Sequence, residues 1–290
     1  MALIGAVGSA GVLVLIWLLA FHTHAGAQAD QSVFVGFAQL QRPHVNRLAN
    51  LIAGACDPAP FLVLSAIVVA IAFARGRARL ALAVGAILLG ANLTTELLKP
   101  SLALTHPHWM VPPGIPVHPD SWPSGHATAA MSLTLALVLA APARRRPLIA
   151  ALGAVFVVAV CYSFLTLSWH YPSDVLGGYL VAVMWTQLAL AGLFGLDARR
   201  AGRLLDGGAP ALSLRAVLTP PAVAVLAAAV VAAVVAVAHP HAVVAFLHQH
   251  KTFVLGAATI GALALALATA LVLGLRANPG SPRAPSPAHR

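Results

Sequence analysis

From the N-terminus onward, the chain alternates between long uninterrupted apolar runs and short stretches crowded with proline, arginine and histidine. The runs fall at about 3–21, 59–74, 80–98, 125–141, 148–168, 175–195, 218–238 and 253–275. Most approach the roughly 20 residues that a helix needs to cross a bilayer. The second is short and requires a tilt or a lengthening through Ala59-Pro60. Hydrocarbon offers backbone N–H and C=O groups no partner, so each run is expected to be an α-helix. The pattern therefore predicts an all-α fold, a polytopic membrane helical bundle of eight spans. Residues 1–195 hold six of them, 196–216 form a polar cytoplasmic linker, and 217–275 form a two-span C-terminal appendage. The tail 276–290 is rich in Pro, Ser and Ala and is expected to be disordered. Between the first two spans, Phe34, Phe37, Leu40, Val45, Leu48, Leu51 and Ile52 recur near helical spacing, which predicts a surface-lying or re-entrant helix within 22–58. The interval 99–124 is proline-rich, lacks any period and reads as a loop.

Composition strengthens this reading. Of 290 residues, 60% are hydrophobic and 8% charged, with a mean hydropathy of +0.89. A soluble domain carries about 25% charged residues, so this chain lacks the polar side chains to cover a water-exposed surface. The net charge of +10 is distributed as a topology signal. Arg75, Arg77, Arg79, Arg144, Arg145, Arg146, Arg199, Arg200, Arg203, Arg215, Arg276, Arg283 and Arg290 all fall on one side of the spans. Only Arg42, Arg47, Lys99 and Lys251 fall on the other, so both termini are expected in the cytoplasm. Nucleic-acid binding is then an unnecessary explanation for the charge. The first run lacks a basic start, and the Ala25-Gly26-Ala27-Gln28-Ala29 stretch after it resembles a signal-cleavage site. The charge bias works with that helix in place, which favours its retention. Cys56 and Cys161 form no disulfide framework or metal pattern and are expected to be packing thiols.

Three short motifs carry the candidate chemistry, and this topology places all of them on the outer side. Thr94-Thr95-Glu96-Leu97-Leu98-Lys99 closes the third span, with Lys99 at its mouth and Glu96 one turn back as a supporting ion-pair partner. Pro123-Ser124-Gly125-His126 opens the fourth span. Ser124 suits an N-cap, and the N–H groups that follow, at Gly125 and beyond, form a seat for an anion within reach of His126. His170 follows the fifth span, with Asp174 four residues on; the carboxylate can hold one ring nitrogen and leave the other to attack. Trp109, Trp122 and Trp169 lie near the outer boundary, where an aromatic belt is expected. Clustered histidines such as His239, His241, His248 and His250 have no familiar metal-site spacing, and no metal is expected.

Together these motifs resemble those of the type 2 phosphatidic acid phosphatase superfamily of membrane lipid phosphatases. The family pattern is Lys-x6-Arg-Pro, then Pro-Ser-Gly-His, then Ser-Arg-x5-His-x3-Asp. This chain supplies Lys99 with Pro107, the complete Pro123-Ser124-Gly125-His126, and Ser163 with His170 and Asp174. The resemblance covers roughly residues 45–195. Where the family has its two arginines, this chain has His106 and Phe164. Arginine grips phosphate through a rigid fork of donors, which phenylalanine cannot supply and histidine supplies only singly. The resemblance implies a metal-independent lipid phosphate phosphatase without cofactors. His170 would be the nucleophile, His126 the acid and base, and Asp174 the residue that fixes the His170 tautomer. Lys99, Ser124, Gly125 and His106 would bind phosphate. The expected partners are a lipid phosphate substrate and membrane lipids, with homo-oligomers possible. The alternative on the same scaffold is a non-catalytic lipid-phosphate binding, transport or assembly protein.

Overall fold

The computed structural model describes residues 1–102, 121–196 and 212–276. Every described element is helical. In chain order they are α1 Ala2–His22, α2 His24–Ala38, α3 Pro43–Ala53, α4 Pro58–Ala74, α5 Ala78–Leu102 and α6 Gly125–Ala140. α7 Arg146–Thr166, α8 Pro172–Leu196, α9 Leu214–Ala238, α10 Pro240–Gln249 and α11 Lys251–Arg276 complete the chain, and among the described residues there is no strand. All eight apolar runs are helical. Local signals place many boundaries: Thr23, Ser124 and Ser213 cap α2, α6 and α9 through their hydroxyls, and proline opens α3, α4, α7 and α10, where a missing N–H costs nothing.

Six helices are long and apolar enough to cross a membrane, namely α1, α5, α7 (with the preceding turn), α8, α9 and α11. The protein is a multi-pass membrane protein. Two of the eight expected spans differ. The second is α4, only 17 residues long, joined to α3 through the short Gly54–Cys56 turn at a bend of 49°. The outer segment before it is two helices, α2 and α3, separated by residues 39–42. The fourth span, α6, has 16 residues, or about 24 Å of helix, against the ~30 Å of a bilayer core. Its shortness has a physical reason. α6 is buried almost all round by α4, α5, α7 and α8, so its ends need not reach lipid headgroups. Its N-terminus instead ends in a recess inside the bundle.

Around α6 the helices bury narrow stripes. α1 buries Ala6, Leu13 and Ala20, seven residues apart, and leaves the rest of its apolar surface outward. α11 buries Ile260, Ala264, Ala268, Leu271 and Leu275 into the same apolar core as α6, α7 and α8. Tyr162 of α7 donates its hydroxyl to the Ala257 carbonyl of α11 at 2.6 Å. α9 buries only Val217 and Pro221. Cys56 and Cys161 are free and buried, and the Tyr179 hydroxyl approaches Cys161 at 3.4 Å. Trp122 is not at an interfacial belt: it is buried beside Phe21 and close against Gly177 of α8.

Candidate active site

One end of the bundle gathers the C-terminus of α5, the N-terminus of α6, the α7–α8 connection and the α3–α4 corner. The arginine-rich turns at 75–79 and 143–146 join the opposite ends of these helices. The elements are tied together through backbone. The Ser124 N–H donates to the Asp174 carbonyl at 3.0 Å, so the starts of α6 and α8 are locked to each other. Gly178, a turn further along α8, lies so close to α6 that a Cβ there would sit 2.8 Å from the Ser124 carbonyl oxygen. The end of α7 turns through Ser168, whose φ of 62° is in the left-handed region. Ser168 N–H bonds the Leu165 carbonyl and Trp169 N–H bonds the Phe164 carbonyl, the two bonds of a Schellman end. Glycine is commonest at such a position; here Gln41 donates to the Ser168 hydroxyl at 2.9 Å and holds it. That turn delivers Trp169 and His170 to the cavity.

His170 presents Nδ1 to Asp174 Oδ2 at 3.2 Å. The same carboxylate oxygen accepts the Tyr171 N–H at 2.9 Å, and Asp174 is wholly buried. Nε2 of His170 is thus the ring nitrogen left for chemistry. The His126 ring lies 6.3 Å from that of His170, centroid to centroid, near enough for both to touch one phosphate. Lys99 is paired with Glu96 at 2.6 Å. The pair stands over the start of α6, since a Cβ on Gly125 would lie 3.3 Å from Glu96 Oε1 and 3.6 Å from Lys99 Nζ. Glu96, Lys99, Gly125, His126, Trp169 and His170 share the wall of one cavity of about 680 Å³, which Phe61 and Leu62 of α4 close on the apolar side. His106 lies outside the described residues, so seven of the eight predicted site residues are placed and all seven belong to this end. Phe164 is fully buried, its ring 5.1 Å from His170 and 5.9 Å from His126.

Three features were not foreseen. Trp169 stands 5.5 Å from the His126 ring, inside the cavity, where the sequence suggested a lipid-facing belt. Asp57, the residue before Pro58 at the start of α4, brings Oδ1 to 3.1 Å from His126 Nε2. Asp30 of α2 is buried behind the site and accepts the Ser173 N–H at 2.8 Å and the Ser173 hydroxyl at 2.6 Å. Burial pushes the Asp30 carboxyl up to about 7; the Ser173 hydroxyl opposes this, the neighbouring Asp174 charge adds to it, and the Ser173 amide opposes it. A signal for Asp30 was present in the stripe Ala27, Asp30, Phe34, Phe37, which puts an acid on the buried face of α2. Asp57 had no such signal, because Asp before Pro reads as an ordinary helix start. Among the described residues no three metal-ligating side chains converge.

Comparison with known proteins bears on the same region. No curated protein matches the chain by sequence. The crystal structure of a transmembrane PAP2-type phosphatidylglycerolphosphate phosphatase from Bacillus subtilis superposes with a TM-score of 0.51 at 21% identity, covering 67% of this chain and 97% of that one. At that identity the likeness is one of fold. A sequence model of the PAP2 superfamily matches residues 80–196, the stretch from α5 to the end of α8 that carries all three motifs. That match takes in the helical core around the two histidines.

Proposed function

We propose that this protein is an integral membrane phosphatase that hydrolyses a lipid phosphate at the extracytoplasmic face through a phosphohistidine on His170. The observation that carries the reading is the convergence of two histidines 6.3 Å apart with Lys99 and the open N-terminus of α6 on one cavity. His170 Nε2 attacks phosphorus in line, forming a P–N bond as the P–O bond to the lipid breaks. His126 gives its proton to the departing oxygen. Water then attacks the phosphohistidine, His126 takes back a proton, and the P–N bond breaks to release phosphate. Lys99 and the N–H groups at the start of α6 balance charge on the equatorial oxygens. Asp174 keeps the His170 proton on Nδ1. No step requires a metal.

The match of residues 80–196 to the PAP2 superfamily and the phosphatidylglycerolphosphate phosphatase activity named for the fold neighbour support a phosphorylated lipid as substrate. Polyprenyl phosphate or diphosphate, a phosphatidate-like lipid and a lipid-linked sugar phosphate all fit a cavity with one apolar wall. The arginine bias supports a cavity on the extracytoplasmic side and both termini in the cytoplasm. The test is phosphate release by purified protein from those lipids, with and without EDTA. Release that survives EDTA and disappears in His170→Ala is the expected result. Tight binding of lipid phosphate with no release would favour the non-catalytic alternative, for which the buried Phe164 beside His170 is the structural argument.

A further inference from the structure

The nucleophile is not the only histidine in the cavity with a carboxylate partner. Asp57 sits where the α3–α4 corner turns, at the position that normally caps a helix, yet its side chain makes no cap bond. Its Oδ1 faces His126 Nε2 at 3.1 Å instead. Pro58 begins α4 immediately after it, and Gly54 lies beside the Asp57 carboxylate, where a Cβ would be 3.4 Å from Oδ2, an ordinary contact. Residue 57 also lies outside the stretch matched to the superfamily.

We propose that Asp57 is the positioning residue of the acid–base histidine. Its carboxylate holds His126 Nε2–H, fixes the ring over the cavity and favours the protonated imidazolium that must meet the leaving oxygen. The inference rests on the phosphatase reading above and adds a second His–Asp pair to it. The site then contains two such pairs with opposite duties. Asp174, wholly buried, keeps His170 in the tautomer that attacks. Asp57, with a side chain 53% exposed, holds a charge on His126 that must come and go within each turnover. The groups facing His126 explain why a carboxylate is needed. From α5 comes Lys99 with its partner Glu96, and from the α7–α8 connection comes His170. Burial of the ring, then a protonated His170 and Lys99, all oppose a proton on His126, and the phenyl ring of Phe164 and the indole of Trp169 offer it no acceptor. Asp57 is the acceptor in direct contact with the ring.

The proposal separates substrates by leaving group. An alkoxide must be protonated as it departs; p-nitrophenolate need not be. Values of kcat/KM, which report phosphorylation of His170, are measured for wild type, Asp57→Ala and Asp57→Glu. The substrates are phosphatidate in mixed micelles and p-nitrophenyl phosphate. General acid catalysis contributes about 10²–10⁴-fold, so Asp57→Ala should lose on the order of 10² on phosphatidate and far less on p-nitrophenyl phosphate. The alkaline limb of the phosphatidate profile should move to lower pH in Asp57→Ala, and Asp57→Glu should recover much of the loss and of the shift. Equal losses on both substrates, or none on phosphatidate, overturn the assignment even when His170→Ala is inactive. A wild type that cleaves neither substrate, or a His170→Ala that cleaves both, sinks the phosphatase reading and this inference with it. Melting temperatures of the three proteins separate folding from chemistry, and an unfolded Asp57→Ala leaves the pH profile of Asp57→Glu to decide. An alkaline limb in Asp57→Glu that stays at the wild-type pH while phosphatidate turnover falls with p-nitrophenyl phosphate turnover also overturns it.

Discussion

Replacing Asp30 with asparagine should remove a pH-dependent weakness from the bundle. Asp30 is 7% exposed, and its carboxyl is raised from 3.8 to about 7 by burial and by Asp174, against the two donors of Ser173. The phenol of Tyr171 is the other titratable group close by. α2 is not among the helices long and apolar enough to span a membrane. A folded-state pKa above the unfolded value means that the native state binds the extra proton between those two values. Stability is therefore full below pH ~4, declines as pH rises toward 7, and stays low above it. A shift of about three units corresponds to about 4 kcal/mol between the two limits. Asparagine does not ionise and can still accept from Ser173, so the variant should lose this decline. The assay is thermal melting of wild type and Asp30→Asn in detergent from pH 4.5 to 8.5. Wild type should lose stability relative to the variant across the acidic half of that range, with the gap constant above neutrality. Parallel curves would falsify the account and show that Asp30 stays ionised throughout.

Other variants probe the packing that sets the site. Gly178→Ala forces a Cβ to 2.8 Å from Ala127 Cβ and the Ser124 carbonyl oxygen, and should cost roughly 1–3 kcal/mol and most of the phosphate release, read by melting and turnover. Gly192→Ala, where a Cβ meets nothing within 4 Å, should instead be neutral or up to about 1 kcal/mol stabilising. Phe164→Arg places a guanidinium in a fully buried site, so the unliganded protein should melt lower and recover when orthovanadate is added; a melting loss that orthovanadate does not touch would place residue 164 outside the anion's reach. Tyr162→Phe removes the 2.6 Å bond from α7 to Ala257 of α11 and should cost about 1 kcal/mol in melting without altering KM.

The bundle was legible because a membrane allows so few solutions. Long apolar runs can only be helices there, and all eight runs became helices. What hydropathy cannot register is a neighbour in space. α6 is apolar enough to be read as a full span, but its 16 residues are set by burial on every side, and only the packed structure shows this. Trp122 fits an interfacial belt by position, yet Phe21 and Gly177 enclose it. The motif residues were legible for a related reason: Lys99, Ser124, His126, His170 and Asp174 lie at or near helix ends, where the chain must turn. The two extra acids were hidden by ordinary roles. Asp57 reads as a cap and meets His126 across 69 positions of sequence; Asp30 meets Ser173 across 143.

Asp57 also bears on how a site short of arginine would hold phosphate. Lys99 is the only lysine or arginine among the described residues that line the cavity, and Glu96 at 2.6 Å already offsets its charge. Both side chains keep contact with solvent, Glu96 more than Lys99, so the pair is held weakly and an arriving phosphate can compete for the ammonium. The remaining positive potential comes from the α6 N-terminus, worth about half a charge, and from whichever imidazole is protonated. An arginine would supply fixed charge at every stage of the reaction. Imidazolium supplies it only when His126 holds its proton, which is also when the leaving group needs one. On the proposed chemistry, charge compensation and acid catalysis therefore fall on the same proton, and the carboxylate that retains that proton, Asp57, governs both.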